Sequence, residues 1–185
     1  MSYALSAADR AFRSDFEEGR VTPTQFDHRA HVRLAYVYLT EGGVDSAANA
    51  MRSALLAFLE RHGIDPGKYH ETLTRSWILA VRHFMERGPA AASADAFIAS
   101  NPVLLDSRIM LTHYSASVLF SAEARARFVE PDLDAASGRE RHPDDDVRVS
   151  GVGRGCGRHR SGRVPTPTPI ARWIAYPLGC RSKGR

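Results

Sequence analysis

FDHRAHVRLAYVYL, Phe26 to Leu39, is the stretch whose reading decides the fold. His28 and His31 stand three apart at the mouth of an apolar run, and on an α-helix residues i and i+3 share a face. Leu34, Ala35, Tyr38 and Leu39 continue on or near that face, so it is expected to point inward. A helix that carries two imidazoles toward a core places proton carriers and common metal ligands where chemistry could occur.

Further helices flank it on both sides. Ser6 opens one, with Asp9 three residues on as a capping-box acid and Ala8, Phe12 and Phe16 at helical spacing; Gly19 ends it. Thr24 or Asp27 can cap the His28 helix, and Glu41-Gly42-Gly43 stops it. Asp45 is expected to cap a third helix with Ala48, Met51, Leu55, Phe58 and Leu59 as its apolar stripe, closed by Arg61-His62-Gly63. After the turn Ile64-Asp65-Pro66-Gly67, a fourth helix is predicted from about Tyr69 to Glu86, with Leu73, Trp77, Ala80, Val81 and Phe84 inward. Ser93 caps a short helix through Phe97 and Ile98. Val103 to Tyr114 carries a helical pattern, and Ser115 begins a last helix ending at Pro131. Nowhere do alternating residues and hairpin turns suggest strands. The expected fold is an all-α compact bundle of about five to seven helices.

Charge divides the 185 residues unevenly. Residues 1–133 hold 14 Lys and Arg against 16 Asp and Glu, a net of −2, while residues 134–185 hold 11 against 5, a net of +6. The helical domain is therefore assigned to 1–133. Residues 134–185 read as a disordered basic Arg/Gly/Pro-rich tail without periodicity, its Pro165-Thr166-Pro167-Thr168-Pro169 favouring extended backbone. Such composition also arises from out-of-frame reading of GC-rich DNA. If neither other frame downstream of the Leu133 codon encodes a helical, arginine-poorer continuation, that hypothesis about the tail is wrong. A body of near-neutral charge makes a nucleic-acid partner unexpected. The absence of about 18 consecutive apolar residues excludes a typical membrane span, and an early-charged N-terminus without an apolar h-region points to the cytoplasm. Both cysteines, Cys156 and Cys180, lie in the tail, so the body has no thiol for a disulfide, a thiolate metal site or a nucleophile. Cys156 and His159 imitate half a zinc site without a second pair.

Histidine chemistry is what remains. H-x-x-H at His28 and His31 can supply two ligands to a divalent transition metal, and a third must come from elsewhere. His70, in Lys68-Tyr69-His70-Glu71, is the best candidate, and His113-Tyr114 the next polar pair at an element end. The metal set is thus His28, His31 and His70. The candidate catalytic pair is His70 and Glu71, the carboxylate orienting an imidazole or carrying a proton. Each residue also has an ordinary structural reading. Histidines at helix starts cap and pack, Glu71 can pair with Arg75 at i+4, and Tyr36, Tyr38 and Trp77 fit a core. His62 and His83, flanked by arginines, read as surface residues. There is no di-iron pattern of Glu and Glu-x-x-His and no G-x-S-x-G elbow.

The pieces Phe26-Asp27-His28-Arg29-Ala30-His31, Tyr69-His70-Glu71-Thr72-Leu73-Thr74 and Ala124-Arg125-Ala126-Arg127-Phe128-Val129-Glu130-Pro131-Asp132 resemble a family of small all-helical bacterial proteins with F-x-H-x-x-H and Y-H-E-T-x-T motifs. The family has no assigned activity. The resemblance implies a body ending shortly after Asp132 and transfers no catalytic role. Where the family's closing helix opens with Pro-Glu, this chain has Ala116-Ser117. Two functions are expected to compete: a small metal-dependent or acid–base enzyme acting on a small molecule, and a non-catalytic binding or interaction module whose histidines only cap and pack.

Overall fold

The computed structural model describes residues 3–134 and, as backbone, the pair 139–140; the rest of the expected tail lies outside the described residues. Among the described residues there are seven α-helices: α1 (Ala7–Glu17), α2 (His28–Glu41), α3 (Val44–Arg61), α4 (Glu71–Arg87), α5 (Ala94–Ser100), α6 (Ala116–Leu119) and α7 (Ala122–Ala126). None is long and apolar enough to cross a membrane. The only extended pairing among them is a two-residue antiparallel bridge, Leu133–Asp134 with Arg139–Glu140.

The all-α expectation holds, and α2 is its axis. Asp27, not Thr24, starts it, its carboxylate accepting from the Ala30 N–H at 2.8 Å. Eight of its fourteen residues are buried, more than one face can supply, as befits a central helix. It packs against α1, α3, α4 and α5. The Ser6–Asp9 capping box of α1 is present, and Asp9 does more than cap. Its carboxylate is fully buried and also accepts from the Ala94 N–H at 3.1 Å and from Arg33 at 3.0 Å. One side chain thus joins α1, α2 and α5.

Several boundaries differ from the sequence reading. Gly43 occupies the cap position of α3 without a side-chain bond, and Asp45, in the first turn, instead pairs with Arg75 at 2.7 Å. That pairing takes Arg75 away from Glu71. The fourth helix starts later than expected because His70 is its N-cap. Pro66–Lys68 forms a single 3-10 turn before it. Val103 to Tyr114 is not one helix but two 3-10 turns, Pro102–Leu105 and Ile109–Thr112. Between them the Asp106 carboxylate accepts from the Arg108 N–H at 3.0 Å, a local bond that competes with helix continuation. The closing helix is likewise split. The Ser121 hydroxyl donates to the Val118 carbonyl at 2.8 Å and accepts from the Ala124 N–H at 3.1 Å, so it ends α6 and caps α7.

His83 is buried, contrary to the surface expectation. The helix α4 has a second inward face, Thr72, Ser76, Ala80 and His83, all buried. This face receives the C-terminal segment. The Thr72 hydroxyl donates to the Arg127 carbonyl at 2.9 Å and accepts from the Val129 N–H at 3.1 Å. Ser76 shares a hydrogen bond of 3.1 Å with Tyr114, whose hydroxyl donates to the Val129 carbonyl.

Candidate functional site

The N-terminal turns of α2 and α4 face the C-terminal half of α3 across a cavity of about 250 Å³. Phe26, Leu55, Phe58, Leu59, Leu73 and Trp77 supply apolar walls, and His28, His31, Lys68, Tyr69, His70 and Thr74 the polar positions. Nine of these twelve come from the two histidine-bearing stretches, residues 26–39 and 68–77. The structure thus places His28, His31 and His70 on one cavity.

The roles of the three imidazoles are different. His70 is buried, and both its ring nitrogens are committed to backbone. Nε2 lies 2.8 Å from the Leu119 carbonyl, and Nδ1 accepts from the Leu73 N–H at 3.3 Å. A carbonyl only accepts, so Nε2 carries the proton and the Nδ1 lone pair serves the helix terminus. Burial lowers the pKa of His70, against the bond to the Leu119 carbonyl, which favours the charged form. No lone pair is left for a metal or a substrate proton. His28 likewise sets Nε2 at 2.9 Å from the Leu104 carbonyl, and its ring stands edge-on to Trp77 at 4.5 Å between centroids.

His31 alone among the three has no hydrogen bond from either ring nitrogen to another described residue. Its ring leans on Phe26, 5.5 Å between centroids. What accessibility it has opens onto the cavity, deep among protein atoms. Burial, helped by the adjacent His28, pushes its pKa down to about 4. It is a neutral imidazole at physiological pH, offering one donor and one acceptor.

Two further expectations are corrected here. The metal set does not form. Among the described residues no three His, Cys, Asp or Glu side chains are placed to hold a metal ion, and His70 has no free donor. Nor does Glu71 line the cavity. Its carboxylate accepts from the Tyr69 hydroxyl at 2.9 Å and lies 3.6 Å from Arg52. It braces a wall residue and sits favourably in the first turn of α4. Burial and this bond to a carboxylate raise the Tyr69 pKa.

Lys68 is what the sequence reading missed. It stands exposed at the rim, and no ion pair to it is found among the described residues. The signal available was its place in the turn that delivers the Tyr69-His70 motif.

The chain matches no protein-family model, no curated protein and no solved structure.

Proposed function

We propose that this domain binds a small, largely apolar molecule in the cavity between α2, α3 and α4, with His31 as its hydrogen-bonding contact. The observation that supports the reading is the neutral imidazole of His31, without a hydrogen bond among the described residues, on an aromatic-walled cavity. Ligand sites are commonly apolar concavities with a few converging polar groups. A cavity of about 150 Å³ accommodates benzene, so the 250 Å³ here suits one or two fused rings. Binding fits better than acid–base catalysis, because a base with a pKa of about 4 is weak near neutrality. His70, the other candidate base, is held by backbone on both sides. The body's lack of cysteine suits a cytoplasmic setting.

A thermal-shift screen of planar one- and two-ring compounds tests the proposal. Hits should raise the unfolding midpoint of the parent and lose their effect in Leu59→Trp, which fills the cavity from its wall. Hits that stabilise both proteins equally would place the binding elsewhere, and a screen without hits would count against a ligand-binding cavity of this kind.

A further inference from the structure

The cavity's charge is one-sided. Of the described residues lining it, Lys68 is the only one with a full charge, and none is a carboxylate. The acids nearest Lys68 in sequence are engaged elsewhere. The Asp65 carboxylate accepts from the Gly67 N–H at 2.8 Å, and Glu71 accepts from Tyr69 and faces Arg52. A second cation lies beside the same turn: Arg125 donates to the carbonyls of Gly67 at 2.9 Å and Tyr69 at 3.3 Å. Around the turn that carries Lys68, Arg52 and Arg125 thus stand with it against Asp65 and Glu71. Inside, His31 adds a donor, the Nε2–H of His28 being given to the Leu104 carbonyl, and neither ring adds negative charge.

Resting on the binding reading above, we propose that the ligand is a planar aromatic monoanion, an aryl carboxylate. Its ring lies between Trp77, Phe58 and the leucines, and its carboxylate meets Lys68 at the rim within reach of an imidazole donor. The cavity volume limits the ring system to about two fused rings. A neutral ring would use the same walls and leave the cation without a partner. A cationic ring would face Lys68 with no acid on the lining to offset it. A charged hydrogen bond exceeds a neutral one, so the carboxylate should be selected over an amide of the same shape.

Isothermal titration of the full chain with 2-naphthoate and with its neutral isostere 2-naphthamide, at fixed pH 7.5 and moderate salt, tests this. The parent is expected to bind naphthoate about three- to tenfold tighter than the amide. Lys68→Met keeps the apolar stem and removes the charge; it should bring the two affinities within twofold, through loss of naphthoate binding. Equal affinities for both compounds in the parent would overturn the anion proposal and leave the cavity reading standing. An undiminished carboxylate preference in Lys68→Met would overturn it as well. If neither compound binds the parent at millimolar concentration, the anion proposal fails, and the neutral-compound screen above decides the fate of the cavity reading separately. Melting curves of the exposed-site variant verify that it is folded.

Discussion

At the scale of single residues, His70 and His31 divide one residue type between two tasks. Replacing His70 by Ala removes the cap of α4 and leaves the Leu119 carbonyl without its donor. Loss of a cap costs about 0.5–2 kcal/mol and an unsatisfied buried group about 1–3 kcal/mol, so urea unfolding should show a loss of roughly 2–4 kcal/mol. A loss below about 0.5 kcal/mol would deny the structural role. His31→Gln should instead act through pH. The folded protein holds His31 near 4, below the ordinary value of about 6.5 that it regains on unfolding. Between those values the unfolded state takes up a proton that the folded state refuses. This contribution to stability is intact above about pH 6.5 and declines as pH falls toward 4, by up to about 1.4 kcal/mol per pH unit. The variant should show a shallower decline between pH 6.5 and 4.5 than the parent; identical slopes would contradict the assignment. Asp9 adds to acid sensitivity at lower pH. Burial opposes its ionisation, but bonds from Ser6, Ala94 and Arg33 outweigh burial and lower its pKa. Its contribution is therefore present above the ordinary carboxylate range and is lost as pH falls through the lowered value.

Among the elements, one threonine of α4 holds the C-terminal segment at two backbone groups. Thr72→Val is nearly isosteric yet removes a donor to Arg127 and an acceptor for the Val129 N–H. With two bonds lost, the expected destabilisation is about 1–3 kcal/mol, measured by chemical denaturation; Thr72→Ser should recover most of it. The helices α1 to α5 were legible because each carries its own punctuation: Ser6, Asp27 and Ser93 cap, while Gly19 and Gly63 take positive φ. Within Asn101 to Arg127 the start at Ser115 was legible, but the breaks at Asp106 and Ser121 were not, because they come from side chains bonding to local backbone. Such bonds leave the apolar spacing of Leu104, Ile109 and Met110 intact, so periodicity alone reads straight through them. His83 was misjudged for a related reason. Its arginine neighbours describe one face of α4, whereas the helix is buried on two.

For the molecule as a whole, the candidate site was legible as a meeting of two motifs and illegible as chemistry. The spacing of His28 and His31 and the pairing with His70 placed three imidazoles on one cavity. What each nitrogen does depends on the carbonyls of Leu104 and Leu119, 76 and 49 residues away along the chain, and no local pattern announces such partners. The last described segment is fastened from within: Asp132 accepts from the Ser115 N–H at 2.8 Å, and the Leu133 N–H donates to the His113 carbonyl at 3.0 Å. A chain ending at Asp134 should accordingly unfold in one cooperative transition within about 0.5 kcal/mol of the full chain, as followed by circular dichroism in urea. The bonds of His28 and His70 to Leu104 and Leu119 carry one more consequence. Two cavity walls are moored to the stretch that is built from 3-10 turns and short helices rather than from long ones. A molecule filling the cavity restrains those rings, and its binding energy then opposes any local opening that must first pull Leu104 or Leu119 away. Backbone amides between residues 101 and 126, none of which touches the ligand, should therefore exchange with deuterium more slowly when the cavity is occupied.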